Sequence, residues 1–128
     1  MEKIKMAQKK KVMVIDDNKD NRDIICQMIE DFVEVIEVSG GEKAFELLID
    51  KKIKVDLILL DLLLPNFDGY EIIKILKEKL NEIPPIYALT ALPLNKEKTN
   101  IENAGFDGVI TKPFSYTDFV KQIKNILE

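Results

Sequence analysis

Four apolar runs in this chain each end in a residue able to do polar chemistry. Val12-Met13-Val14-Ile15 runs into Asp16 and Asp17, Leu57-Ile58-Leu59-Leu60 into Asp61, Ile86-Tyr87-Ala88-Leu89 into Thr90, and Val109-Ile110-Thr111 into Lys112 and Pro113. As parallel strands of one sheet, these runs would bring their carboxyl ends together, at the edge where open α/β sheets bind ligands. Three carboxylates, a hydroxyl and an ammonium would then share one small site. Acids with one lysine and no histidine suit a hard divalent cation together with a phosphoryl group. The absence of histidine also excludes a Ser-His-Asp triad and any zinc site that needs imidazole.

The elements that must hold these residues alternate along the chain. Ile25, Met28, Ile29 and Phe32 follow the i, i+3, i+4, i+7 rule and predict a first helix over about 19–31, capped by Asn18 or Asp20. Val33 to Val38 alternates with Glu34 and Glu37 as a half-exposed second strand, closed by Gly40-Gly41, and Ala44, Leu47 and Leu48 mark a second helix. Val55 to Leu60 is nearly all branched and apolar, which predicts a central strand covered on both faces. A turn at Leu64-Pro65-Asn66-Phe67-Asp68-Gly69 leads into a third helix carrying Ile72, Ile73, Leu76 and Leu80, which Pro84-Pro85 stops.

Leu94 to Ala104 is only weakly amphipathic and should be the most loosely anchored helix. Gly105 and Gly108 bracket the turn into the fifth strand. Ser115 to Asp118 reads as a capping box before a last helix with Phe119, Val120, Ile123, Ile126 and Leu127 on its apolar face. The sum is (βα)5: an α/β fold with a parallel sheet and helices on both sides.

Composition narrows the function. The chain has 128 residues, 46% of them hydrophobic, enough for one core and one domain. We read residues 1–10 as a basic tail and residues 11–128 as the domain. A net charge of −4 argues against a nucleic-acid surface, and Lys9-Lys10-Lys11 reads as a solvated lead into the first strand. No apolar segment approaches the roughly 20 residues needed to cross a bilayer. No secretory signal is evident, and the single Cys26 cannot form an internal disulfide, so the expected setting is the cytoplasm. Cys26 itself reads as a small apolar residue near a buried helix face.

With these pieces in order, the chain resembles the receiver domain of bacterial two-component response regulators from Lys11 to Leu127. The residues carrying the resemblance are Asp16-Asp17, Asp61 with Leu62 to Gly69 behind it, Thr90-Ala91 and Lys112-Pro113-Phe114. It implies a flavodoxin-like sheet of order 2-1-3-4-5. It also implies that Asp61 is the phosphoacceptor and that Mg2+ is held by Asp16, Asp17, Asp61 and the Leu63 backbone carbonyl. Lys112 and Thr90 would contact the phosphoryl oxygens, and Lys112-Pro113 would have a cis peptide. The implied partners are a sensor histidine kinase or histidine phosphotransfer protein and a downstream protein target, with no direct nucleic acid and no membrane insertion.

Phosphorylation would then switch the surface of the fourth helix, fifth strand and last helix. Such a protein catalyses its own phosphorylation and slow dephosphorylation without being a conventional enzyme. With no output domain after the fifth helix, the chain reads as a stand-alone receiver, the alternative being a receiver fragment of a hybrid histidine kinase.

Two departures from the family pattern bear on mechanism. Val109 stands where the family usually has an aromatic ring that swings inward, and Phe106, in the preceding turn, does not inherit that role. Leu63 and Leu92 stand where polar groups often place the hydrolytic water, so a long-lived phosphoryl group is expected. Leu64 replaces a methionine, a conservative change. Three rivals remain. A magnesium-dependent phosphohydrolase with an aspartate nucleophile wants an acid two residues on, where Leu63 or Asn18 stands. A flavodoxin-like electron carrier wants a Ser/Thr/Gly-rich first loop, and a degenerate receiver would lack site residues that this chain has.

Overall fold

The computed structural model describes residues 9–62, 69–91, 94–112 and 114–128. Its strands are β1 (Lys10–Ile15), β2 (Val33–Val38), β3 (Leu57–Asp61), β4 (Ile86–Thr90) and β5 (Gly108–Thr111). They form one parallel sheet in the order β2-β1-β3-β4-β5, the arrangement that the family resemblance implied. The helices are α1 (Lys19–Ile29), α2 (Gly41–Phe45, continuing as a π-helical stretch Glu46–Asp50), α3 (Gly69–Lys79), α4 (Leu94–Asn103) and α5 (Tyr116–Leu127).

Side chains alternate across the strands and so divide the core in two. Met13, Ile15, Ile58, Leu60 and Ala88 face Ala44 and Leu48 of α2, Ile72, Ile73 and Leu76 of α3, and Ile101 of α4. Val12, Val14, Leu57, Leu59, Leu89 and Ile110 face Ile25 and Ile29 of α1 and Phe119 and Ile123 of α5. Val12 to Ile15 and Leu57 to Leu60 are wholly buried. Each such side chain contributes about 1.5–3 kcal/mol of burial energy, which makes β1 and β3 the rigid spine of the sheet.

Element boundaries differ from the sequence expectation at several points, each for a local reason. β1 begins at Lys10, because backbone pairing with Val33 does not require a buried side chain. α1 ends at Ile29. Phe32 keeps the helical spacing and packs against the core, but its N–H bonds to the Ile29 carbonyl in the turn into β2. Val55 lies outside β3, since Asp56 turns the chain by exchanging hydrogen bonds with the Lys11 backbone. The π-helical half of α2 leaves no trace in the apolar spacing, and it ends beside Lys52, whose φ is 56°.

The caps follow the sequence. Asn18 accepts the Asn21 N–H at 2.9 Å and starts α1, and Ser115 accepts the Asp118 N–H at 3.1 Å and starts α5. α4 is the least embedded helix. Ile101 is its one buried residue among those described, because Glu97 to Asn100 are polar.

Candidate functional site

Strand register determines which residues meet at the carboxyl edge. Ile15 pairs with Leu60, so Asp16 leaves β1 beside Asp61 at the end of β3. Asp61 pairs with Leu89 and Thr90 with Thr111, which places Thr90 and Lys112 next along the edge. The Lys112 N–H extends the β4–β5 ladder by donating to the Thr90 carbonyl at 2.8 Å. Beyond Pro113, which is outside the described residues, Phe114 stacks on Phe119 with ring centroids 4.4 Å apart and ties the loop to α5.

Asp16 is completely buried and its backbone and one carboxylate oxygen are committed. Its N–H donates to the Val38 carbonyl at 3.0 Å, and Oδ1 accepts the Asn18 N–H at 3.0 Å. The second oxygen, Oδ2, is buried without a hydrogen-bond donor among the described residues, and the Lys112 ammonium stands 3.6 Å from it. The same ammonium lies 3.5 Å from Asp61 Oδ2, so one cation bridges two acids. Asp17 is exposed at the open side of the cluster.

Asp16, Asp17 and Asp61 each offer a carboxylate oxygen within 4.8 Å of the others. At that range two like charges repel by about 3 kcal/mol in a medium of effective dielectric near 20. Lys112 neutralises one of the three, leaving a formal charge of about −2 for a divalent ion to meet. The orphaned Asp16 oxygen, costing about 1–3 kcal/mol when nothing satisfies it, fits the same ion. The donor set is all oxygen and hard, as Mg2+ prefers.

The chain leaving Asp61 is folded back tightly. The Leu62 N–H donates to the Leu89 carbonyl at 3.2 Å and the Gly69 N–H to the Leu62 carbonyl at 2.7 Å. A Cβ on residue 69 would stand 2.8 Å from Leu62 Cα and 3.0 Å from the Asp61 carbonyl oxygen, so glycine is what lets α3 begin there. Leu63 and Leu64 fall outside the described residues, as does Leu92, and their expected roles stay with them.

All five side chains singled out from the sequence, Asp16, Asp17, Asp61, Thr90 and Lys112, therefore stand on one edge. One neighbour was not anticipated. Arg22 of α1 donates from Nη1 to the Asp16 carbonyl at 2.7 Å, and its Nε lies 3.4 Å from Glu37 of β2. Its signal in the sequence is a cation three residues before Ile25 and seven before Ile29, on the apolar stripe. Cys26, by contrast, stays outside the site. Burial, then the nearby Glu30 carboxylate, pushes its thiol above the usual range and keeps it protonated.

Residues 12–124 match the family described as the response regulator receiver domain. The polar-differentiation response regulator DivK of Brucella ovis is 36% identical over 121 residues, covering 92% of this chain and 96% of that protein. Two solved structures superpose closely. A putative response regulator from Chloroflexus aurantiacus has 28% identity and a TM-score of 0.83, over 94% of this chain and 98% of that one. The receiver domain of a sensor histidine kinase from Pseudomonas aeruginosa, described with a magnesium ion coordinated in its active-site cleft, has 26% identity and a TM-score of 0.81, again over 94% and 98%.

Proposed function

This chain belongs to the response regulator receiver family, a family of phosphorylation-based signalling, and on that premise we propose that Asp61 is its phosphoacceptor. The observation that carries this reading is the buried, unsatisfied Asp16 oxygen facing Asp17 and Asp61 with Lys112 between the acids. Asp16, Asp17, Asp61 and the Leu63 carbonyl would hold Mg2+, the ion described in the Pseudomonas relative. Bound there, the ion supplies charge neutralisation for an incoming phosphoryl group.

The chain's own residues do the rest. An Asp61 carboxylate oxygen attacks phosphorus, an O–P bond forms, and the bond from phosphorus to the donor breaks with its electron pair leaving on the donor. With a phosphohistidine donor, the leaving group is the imidazole of a sensor histidine kinase or histidine phosphotransfer protein, which then takes up a proton. Lys112 exchanges its contact with Asp61 for one with a phosphoryl oxygen, and Thr90 donates its hydroxyl to another. Asp16, held on three sides, keeps its place throughout.

The readout is the face of α4, β5 and α5, where a downstream protein binds. Tyr116 exposes 57% of its surface at the start of α5, on that side of the molecule. With Val109 in place of an aromatic ring, we attribute the switch to the Thr90 backbone and α4 rather than to a swinging side chain. Leucines at sequence positions 63 and 92, two residues after Asp61 and Thr90, supply no polar group to place a hydrolytic water, so the acyl phosphate is expected to persist until a phosphatase partner acts. None of the helices is long and apolar enough among the described residues to cross a membrane, and we place the protein's work in the cytoplasm.

Incubation with acetyl phosphate and Mg2+, followed by intact mass, tests the chemistry. Wild type should gain one phosphoryl group and Asp61→Asn none. A mass gain retained in Asp61→Asn would move the acceptor elsewhere.

A further inference from the structure

Asp17 is the least constrained member of the acidic cluster. Asp16 is buried and fixed through its N–H and Oδ1, Asp61 ends a buried strand, and Lys112 bridges the two. The Asp17 carboxylate is exposed and makes no hydrogen bond or ion pair among the described residues. Its direction therefore depends on its backbone, and above all on the peptide that joins it to Asp16. The carbonyl of that peptide is where Arg22 donates, at 2.7 Å.

Arg22 is itself firmly seated. Its side chain is only 14% exposed, and its Nε leans on Glu37 at 3.4 Å, in the same β2 strand whose Val38 carbonyl receives the Asp16 N–H. Its planar fork thus ties one helix and one strand to a single peptide plane. A lysine offers no such fork, and an aliphatic or thioether side chain offers no N–H or O–H donor at all.

We propose that Arg22 is a positioning residue for the cation site: by fixing the Asp16–Asp17 peptide it turns the Asp17 carboxylate towards the ion, and Glu37 sets its reach. The inference rests on the reading that Asp16, Asp17 and Asp61 hold Mg2+. Partners behind the ligands of a metal characteristically govern affinity by about 10–100-fold, because they orient ligands that would otherwise wander.

The test is calorimetric titration of the full chain with Mg2+, alongside thermal melts without metal and phosphorylation by acetyl phosphate across Mg2+ concentrations. Arg22→Met should raise the Mg2+ Kd about tenfold, while its phosphorylation rate returns close to that of wild type at saturating Mg2+. Arg22→Lys should recover part of the affinity, and Glu37→Gln should weaken binding by about twofold to threefold. An unchanged Kd in Arg22→Met overturns the inference, whatever happens to its melting temperature. If Arg22→Met does not fold, Glu37→Gln decides, and an unchanged Kd there overturns it equally. A folded wild type that binds no Mg2+ overturns the cation site and this inference together, whereas normal wild-type binding with unaffected variants removes only the role of Arg22.

Discussion

Two stretches of the sheet's carboxyl edge are built to different standards. At the β1–β3 end, every strand residue leading to Asp16 and Asp61 from Val12 and Leu57 is wholly buried, and Asp16 is held by Val38, Asn18 and Arg22. At the β4–α4 end, the described residues of α4 contribute Ile101 to the core beside Phe106, and Glu97 accepts a hydrogen bond from the Tyr70 hydroxyl at 3.0 Å. Tyr70 also meets Phe106 edge to face, with centroids 6.2 Å apart. A site that must bind a cation gains from having its ligands fixed beforehand, whereas an element that must respond needs alternatives of similar energy. On the proposed reading, these demands fall on separate elements, the β1–β3 pair and α4.

Matched truncations separate the two regions by the largest margin. Leu60→Ala in β3 should cost about 2–5 kcal/mol and lower the whole unfolding transition, because its rigid surroundings collapse poorly around the void. Ile101→Ala in α4 removes similar volume but should fall at the low end of that range, about 2 kcal/mol, since the helix can settle into the space. Equal losses in denaturant titrations would erase the distinction.

Gly69→Ala comes next. The new methyl group meets the Leu62 backbone and the Asp61 carbonyl, so a cost of about 1–3 kcal/mol is expected together with slower phosphorylation, as Asp61 is pushed out of line. A variant that loses stability but phosphorylates normally would show that the turn and the acceptor are independent. Smallest is Tyr70→Phe, which removes one hydrogen bond worth about 1 kcal/mol. Hydrogen exchange should show amides of α4 opening about fivefold more often while those of β1 are unchanged. Equal changes in both would mean that α4 is not a separate unit.

Much of this was readable from sequence because parallel strands make reading easy. Apolar runs such as Leu57 to Leu60 declare themselves, and whatever follows them must lie on the ligand edge. Asp16, Asp61, Thr90 and Lys112 were found that way, and the weakness of α4 showed in its polar stretch from Glu97 to Asn100. What escaped was set by neighbours far along the chain. Phe32 obeys helical spacing, yet its place in a turn depends on where β2 must begin. The π-helical stretch at Glu46–Asp50 changes the hydrogen-bonding partner without changing residue types. Arg22 resembles a stray charge on an apolar stripe until β2 brings Glu37 alongside and its Nη1 is seen to reach the Asp16 carbonyl.

The ammonium of Lys112, seated between Asp16 and Asp61, has a further consequence for timing. Standing between them, it offsets the mutual repulsion of two close acids. On the reading that the three acids hold Mg2+, the ion would meet ligands already gathered. The pace of its loading and unloading would then be governed by how readily it sheds hydration water, a step at which magnesium is notably reluctant.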